Sequence, residues 1–423
     1  MSQVNESLWN YCEQLARKAR AAAKQMARLS GERKNKCLLR GADLLLENQA
    51  EILAANRLDL EAAPQYGLST AEIDRLTLSV KRIGEMSAGI RAVAAQPDPI
   101  GQVISGEIRP NGLKVEKIRV PLGVIFFIYE SRPNVTADAA ALCIKSGNAI
   151  VLRGGKEASH SSRAIVDVLR SAVAEYGIPS EALAQVEFQD REAVGYLLQM
   201  PQFIDVTIPR GGKSLIQRVA AEAKMPVIKH YDGNCHVYVD RSADLQMAKR
   251  IVVNAKCQRM GVCNACESLV VDTNVAAEFL PMLADDLRSY GIQWRGDSEV
   301  CKLVKDAKLA SEEDWGTEYL GPILSVRIVS DLEAAIEHIN RYGSKHTDAI
   351  VTSDLAAAEK FCRAVDSSAV VVNASTRFND GGELGLGAEI GISTDKFHAR
   401  GPCGAMELTS YKYVIVGQGQ VRE

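Results

Sequence analysis

The sequence predicts an α/β protein in which parallel strands alternate with helices, and two observations support this fold class. Short apolar runs at 123–129 and 149–152 have the composition of strands buried on both faces of a parallel sheet. Segments 164–176 and 214–223 carry apolar residues every three or four positions, as amphipathic helices do. Such alternation is typical of a doubly wound sheet.

The elements before the first buried strand are of a different kind. Apolar spacing over 8–26 and 38–46 predicts that the first hundred residues are mainly helical. Two strand-like runs, 104–110 and 113–118, then flank the pair Asn111-Gly112, which favours a tight primed hairpin turn. We therefore expect a helical N-terminal segment followed by a projecting hairpin.

The remaining elements follow in chain order. A helix at 137–145, a strand at 149–152, a helix at 164–176 that Gly177 closes, a strand at 203–208 and a helix at 214–223 complete the first alternation. A second alternation runs from residue 245 to about 361, and 369–373 is predicted as a returning strand. We place a domain boundary near residue 235.

Composition excludes several classes of protein. With 423 residues, 47% apolar and 24% charged, the chain can bury a large core, and its formal charge of −3 gives no reason to expect a nucleic-acid partner. No apolar run approaches the roughly 20 residues that cross a bilayer. The N-terminus lacks the features of a signal peptide, and the ten cysteines lack a framework spacing. These features predict a cytoplasmic protein with reduced thiols.

The segment 254–267 concentrates the reactive chemistry of the sequence. Three thiols lie beside two cations in it: Cys257, Cys263 and Cys266, with Lys256 and Arg259. Neighbouring cations lower the pKa of a thiol and so favour the nucleophilic thiolate. The alternative for a given cysteine of the chain, judged from its spacing alone, is a buried small hydrophobe. A zinc site that adds Cys235 or His236 is disfavoured, because a single C-x-x-C pair is a weak zinc pattern, and we predict no metal.

Two glycine pairs at strand ends suggest phosphate binding. Arg153-Gly154-Gly155-Lys156 follows a predicted strand, where α/β folds place nucleotide phosphates. Gly211-Gly212 precedes a predicted helix, whose first N–H groups can bind an anion. Thr207 stands where a complete phosphate-binding loop has glycine, so a plain tight turn remains the alternative there.

In their order along the chain, these segments resemble the aldehyde dehydrogenase superfamily and, more closely, its γ-glutamyl phosphate reductases (glutamate-5-semialdehyde dehydrogenases). The resemblance covers nearly the whole chain. Besides the cysteine segment, it rests on VPLGVI (120–125), IYESRPN (128–134), GNAIVLRGGKE (147–157), IPRGG (208–212), LGP (320–322), VNASTRFNDGG (372–382) and HARGP (398–402).

The resemblance implies a Rossmann-type cofactor domain, an α/β catalytic domain and a β-hairpin oligomerisation arm. The implied bounds are 1–103 and 120–235 for the cofactor domain with a return at about 366–380, 236–365 for the catalytic domain, and 104–119 with about 381–423 for the arm. A homo-oligomer covering the strand edges of this arm is expected. The resemblance also implies glutamate 5-kinase as a candidate partner, since bifunctional relatives carry a kinase region ahead of the reductase; this chain looks like the stand-alone reductase.

The implied activity is NADPH-dependent reduction of L-glutamyl 5-phosphate to L-glutamate 5-semialdehyde with release of phosphate, the second step of proline biosynthesis from glutamate. Cys263 matches the nucleophile that forms a thioester, and Asn134 is the nearest match to the oxyanion donor. The residues matched to the cofactor are Arg153, Lys156, Gly211, Gly212 and Glu318. The candidates for binding the substrate's anionic groups are Arg259, Arg377, His398 and Arg400.

Two other functions remain open at this stage. In a non-catalytic nucleotide-binding module, Cys263 would be inert to iodoacetamide. In a hydrolytic aldehyde dehydrogenase, a glutamate general base precedes the second domain, but here the stretch HYDGN (230–234) puts His230 at that position, with Asp232 available under a shifted alignment. Cys266, three residues after Cys263, is expected to approach it on a helical turn and to form a disulfide on oxidation.

Overall fold

The computed structural model describes residues 5–130 and 132–422, apart from the side chain of Ala71. Ser131, which belongs to one of the resembling segments, lies outside these residues. The chain divides into two compact units: Met1–Lys229 with Gly385–Gly391 and Pro402–Glu423, and His230–Leu384 with Ile392–Gly401. Within the described residues, every helix is too short or too polar to traverse a lipid bilayer.

The first unit is built on a parallel sheet with the strand order β5-β4-β3-β6. Its helices are α1 Glu6–Met26, α2 Gly31–Glu47, α3 Gln49–Ala62, α4 Thr70–Leu76, α5 Val80–Ala95, α6 Pro133–Lys145, α7 Ser159–Glu175, α8 Arg191–Leu198 and α9 Lys213–Glu222. Its strands up to this point are β1 Val103–Ile108, β2 Lys114–Pro121, β3 Val124–Tyr129, β4 Ala149–Gly154, β5 Leu183–Gln185 and β6 Val206–Arg210. Every residue of β3 is buried, as its continuous apolar run predicts.

The second unit contains a larger parallel sheet with the order β10-β9-β11-β8-β7-β12-β13. Its helices are α10 Leu245–Cys257, α11 Thr273–Arg288, α12 Ser298–Leu303, α13 Leu332–Tyr342 and α14 Leu355–Ala364. Its strands are β7 Cys235–Val239, β8 Cys266–Asp272, β9 Gln293–Gly296, β10 Lys308–Leu309, β11 Ile323–Val329, β12 Thr347–Val351 and β13 Ala369–Val372. Alternate strand residues pack on helices of the two faces, Val237 with Phe279 and Tyr238 with Phe361. The last strands of the chain are β14 Gly391–Ser393, β15 Gly401–Cys403 and β16 Thr409–Val416.

The predicted hairpin is present as β1 and β2, and β16 completes an antiparallel three-stranded sheet. The turn is one residue longer than the tight two-residue form. Arg109 and Leu113 pair across it, and Gly112 donates to Arg109 O at 2.8 Å with φ of +87°. This is the three-residue loop in which glycine takes the left-handed position, and Pro110 suits the position that follows Arg109.

The observed division of the chain differs from the predicted domains in two places. The boundary lies between Lys229 and His230 rather than after residue 235, so His230 belongs to the second unit. Residues 366–380 do not return to the first unit, because β13 pairs with β12 at the edge of the larger sheet. The segments that return are 385–391 and 402–423.

Two element boundaries also differ. Helix α6 begins at Pro133, earlier than the predicted start at residue 137, because proline suits the first turn of a helix. Strand β6 begins at Val206, three residues later than predicted, since Phe203 and Ile204 both donate to Met200 O in a preceding turn.

Candidate active site

Cys263 lies in the loop 258–265, which connects the end of α10 to the start of β8. The adjacent Asn264 fixes this loop: its Nδ2 donates to Asn379 O at 3.1 Å, and its carbonyl accepts from Thr376 Oγ1 at 2.7 Å. On the other side, a Cβ on Gly233 would lie 2.0 Å from Cys263 O. Only glycine allows this close approach of the two backbones.

Two imidazoles accompany the thiol. One ligand atom each from His230, Cys263 and His346 lie within 4.8 Å of one another, and the two rings meet edge to face with centroids 5.2 Å apart. Nδ1 of His230 is 3.0 Å from Ile392 O and must donate to it, which leaves Nε2 for the thiol. Nδ1 of His346 is 2.7 Å from Thr347 Oγ1, and its buried Nε2 has no hydrogen-bond partner among the described residues.

These histidines give Cys263 the character of a thiolate. Burial by itself raises the pKa of a thiol, but the charge of His346 and a hydrogen bond with His230 outweigh it and hold the pKa of Cys263 well below its usual range. Burial raises the pKa of Cys257 to about 11 and that of Cys266 to about 12. Of the clustered thiols, Cys263 is therefore the one with thiolate character at neutral pH.

The cause of this activation differs from the one that the sequence suggested. Lys256 is fully buried and forms an ion pair with Glu267, so its charge is largely compensated. Residues 261–265 form turns and bends, which makes the expected helical turn between Cys263 and Cys266 wrong. Cys266 begins β8, packs in the core and donates its thiol hydrogen to Ser268 O at 3.3 Å.

Cys235 is the thiol that contacts the loop 258–265, which we call the nucleophile loop. Its Sγ donates to Cys263 O at 3.1 Å and lies 3.6 Å from His346 Nδ1, and burial raises its pKa well above the usual value. It is a protonated donor rather than a second nucleophile. Zinc prefers thiolate and imidazole ligands, so the cluster of His230, Cys263 and His346 could hold a zinc ion. Such an ion would occupy the Sγ atom that a nucleophile needs.

Glu318 lies on the side of the loop 258–265 that Gly233 contacts. Its Oε1 accepts from Gly233 N at 2.9 Å, next to the point where Gly233 meets Cys263. Burial raises the pKa of Glu318 to about 7, and the negative charges of Cys263 and Asp232 act in the same direction. This carboxyl group is therefore within electrostatic range of the thiolate.

The four candidate anion ligands fall into two groups. Burial lowers the pKa of Arg377, and the charges of Asp380, Cys263 and Arg259 also act on it, so its guanidinium group lies near the thiolate and near Arg259. Arg377 Nε donates to Gln258 Oε1 at 2.8 Å, within the nucleophile loop. Arg400 is instead paired with Asp366 at 2.9 Å, and His398 is exposed. Arg259 and Arg377 are the better placed cations.

The cofactor candidates other than Glu318 lie in the first unit, at the carboxyl ends of β4 and β6. Arg153 donates to Gly154 O and Gln189 O, and its buried Nε has no hydrogen-bond partner in the described parts of the chain. Lys156 is exposed, with its Nζ 4.8 Å from the centre of the Tyr66 ring. These side chains fit the phosphate of a dinucleotide.

The second glycine pair and Asn134 also belong to the first unit. Gly211 and Gly212 precede α9 as predicted, but the N–H of Gly212 donates to Glu130 Oε2 at 3.0 Å, so a carboxylate already uses this position. A side chain at Gly211 would also collide with that carboxylate. Asn134 is the second residue of α6 and is half-buried.

Sequence reasoning missed three features that come from distant segments, namely His346, Cys235 as a neighbour of Cys263 and the packing role of Gly233, and it also missed the adjacent Asn264. The chain has six histidines, and no local motif marks His346. The sequence did contain Gly233, which belongs to the stretch HYDGN that aligns with the general base of hydrolytic relatives, and a glycine there indicates a close backbone contact.

Comparison with known proteins shows which proteins this chain is similar to. The model of the aldehyde dehydrogenase family matches residues 2–315 and 303–388. The gamma-glutamyl phosphate reductase of Rhodopirellula baltica is 59% identical over 418 residues, which is 99% of this chain and 96% of that protein. Among solved structures, the gamma-glutamyl phosphate reductase of Thermotoga maritima has a TM-score of 0.94 at 44% identity, covering 97% of this chain and all of that one. The enzyme of the same name from Saccharomyces cerevisiae has a TM-score of 0.55 at 33% identity, covering 97% of this chain and 98% of that one.

Proposed function

The chain belongs to the aldehyde dehydrogenase family, and from this membership we propose that it reduces L-glutamyl 5-phosphate to L-glutamate 5-semialdehyde with NADPH and releases phosphate. This is the second step of proline biosynthesis from glutamate. The observation that carries the proposal is the Cys263 thiolate held between His230 and His346. An acyl phosphate is the activated substrate that such a thiolate attacks well.

The first step uses this thiolate as the nucleophile. Sγ of Cys263 attacks the acyl carbon of glutamyl phosphate, the bond from that carbon to the phosphate oxygen breaks, and phosphate leaves with the bonding electrons. A thioester on Cys263 remains. His230 holds the proton of the thiol at Nε2, and Arg259 and Arg377 provide cations for the anionic groups of the substrate.

The second step reduces the thioester. Arg153 and Lys156 would hold a dinucleotide, which when bound would supply the hydride for this reduction. The oxyanion that develops needs N–H donors, for which we assign the backbone N–H of Cys263 and the side chain of Asn134. When this intermediate collapses, the carbon–sulfur bond breaks, the thiolate of Cys263 is restored and the semialdehyde leaves.

Arg153 is the residue that we expect to favour NADPH over NADH. Its guanidinium charge and its position at the end of β4 suit the extra 2′-phosphate. In the reverse reaction, glutamate 5-semialdehyde oxidation, kcat/KM with NADP⁺ should exceed that with NAD⁺ by at least about tenfold, the size of one charge-assisted hydrogen bond. Arg153→Ala should remove most of that preference, and Arg163→Ala on the exposed face of α7 is the control. Equal efficiency with both cofactors in the parent protein would contradict the assignment.

The sheet of β1, β2 and β16 is the proposed oligomerisation surface. Ile108 is 77% exposed, and Tyr413 and Ile415 are each 60% exposed, which is unusual for apolar strand residues on a monomer surface. Light scattering at micromolar concentration should show an oligomer, and Ile108→Asp with Ile415→Asp should produce a monomer. Leu355→Asp, at an exposed apolar position in the other unit, is the control. A monomeric parent protein would refute this part of the proposal.

The remaining parts of the proposal concern the binding partners of the protein and its location in the cell. Glutamyl phosphate is the small-molecule partner, and glutamate 5-kinase, whose product it would be, is the protein partner to test by co-purification. We place the reaction in the cytoplasm, where free thiols such as the ten cysteines of this chain stay reduced.

A further inference from the structure

A buried ion pair brackets the nucleophile loop. Lys256 is the second-last residue of α10, and Glu267 is the second residue of β8, so the pair spans the loop 258–265 at its base. Both side chains are fully buried, with Nζ 2.5 Å from Oε2. The proposed reaction steps do not use either residue.

The second oxygen of Glu267 holds another segment of the site. Glu267 Oε1 accepts from Leu320 N at 3.0 Å, and Leu320 has φ of +53°, a left-handed conformation that side-chain-bearing residues seldom adopt. Two residues earlier, Glu318 accepts from Gly233 N beside Cys263. A continuous set of contacts therefore runs from the ion pair through the segment 318–320 to the nucleophile.

A contribution to the stability of the folded protein does not by itself explain why this ion pair is buried here. Two charges lose their hydration on burial, and apolar residues of similar size often replace a buried ion pair with no loss of stability. Burial also raises the pKa of Glu267, despite the opposing charge of Lys256. An apolar residue cannot provide an acceptor for the N–H of Leu320, however, and this acceptor is what the ion pair adds.

We propose that Lys256 and Glu267 are positioning residues that close the nucleophile loop and hold the segment 318–320, so that Glu318 stays beside Cys263. The inference deepens the proposed function and rests on it for its kinetic readout. The family resemblance assigns Glu318 to cofactor binding, so loss of the acceptor should weaken the use of NADP⁺, and Glu318→Gln should have the same effect.

Two double variants separate positioning from packing. Lys256→Met with Glu267→Leu removes both charges and the acceptor, whereas Lys256→Met with Glu267→Gln removes both charges and keeps an acceptor. Both should retain the circular dichroism spectrum of the parent. We expect KM for NADP⁺ to rise at least about tenfold in the leucine variant, as in Glu318→Gln, and to stay within about threefold of the parent in the glutamine variant. A parental KM in the leucine variant, or equal KM values in both variants, would overturn the proposal.

If either variant fails to fold, a measurement on the parent protein decides whether Glu267 holds the segment 318–320. In hydrogen exchange, the Leu320 amide should be protected as strongly as the amides of β8, because its acceptor is fully buried. Rapid exchange there would overturn the proposal. If the parent does not oxidise glutamate 5-semialdehyde at all, the proposed function fails, while this exchange readout still decides whether Glu267 holds the segment.

Discussion

Cys263→Ala should reduce the rate of glutamate 5-semialdehyde oxidation below roughly a hundredth of the parental rate, because the thioester cannot form without Sγ. The fold and dinucleotide binding should be unchanged, since Cys263 lies in a loop, outside the apolar cores of the two units. Steady-state kinetics measure the first effect, and fluorescence titration with NADPH measures the second. A variant with more than about a hundredth of the parental rate would show that Cys263 is not the nucleophile.

Alkylation provides the control for this result. A lowered pKa keeps a thiol in its thiolate form as the pH falls, so iodoacetamide should label Cys263 at pH values where ordinary thiols no longer react. Cys362→Ala, at an exposed cysteine, should leave both this labelling and the activity unchanged. Labelling of another cysteine in preference to Cys263 would instead favour a non-catalytic nucleotide-binding module.

Oxidation of the semialdehyde should require phosphate or arsenate, with hydrolysis of the thioester at least about a hundredfold slower, the usual effect of a missing general base. The position where hydrolytic relatives carry glutamate is His230 here, and its Nδ1 is committed to Ile392 O while Nε2 serves the thiol. Water therefore has no dedicated base at this position. In phosphate-free buffer, NADPH formation should stop after one turnover per Cys263.

If the thioester were hydrolysed instead, Glu318 is the carboxyl group that could activate the water. Its pKa of about 7 would let it accept a proton from water, although its Oε1 already accepts from Gly233 N. Sustained NADPH formation without phosphate would establish hydrolysis. Its disappearance in Glu318→Gln would then identify Glu318 as the base, and its persistence would point to Asp232, another carboxylate that lies near Glu318.

The sequence by itself determined most elements of the fold and singled out Cys263 as the candidate nucleophile. Apolar runs, helical periodicity and glycine turns are local signals, so they predicted β3, β4, the helices between the strands and the hairpin around Gly112. The same kind of signal located the phosphate-binding candidates, because doubly wound sheets bind ligands at the carboxyl ends of their strands and Arg153 and Gly211 lie there in the first unit.

Only the tertiary structure decided the surroundings of Cys263. In the second unit the nucleophile loop precedes β8, so it lies at the amino end of that strand. Doubly wound sheets usually bind ligands at the carboxyl ends of their strands, so this general pattern does not predict the position of Cys263. His346 reaches it because β12 pairs with β7, and β7 in turn with β8. Strand order depends on packing between segments distant in the chain, and the pKa of Cys263 depends on that packing. The local sequence pointed instead to Lys256, whose charge the fold pairs with Glu267 inside the protein.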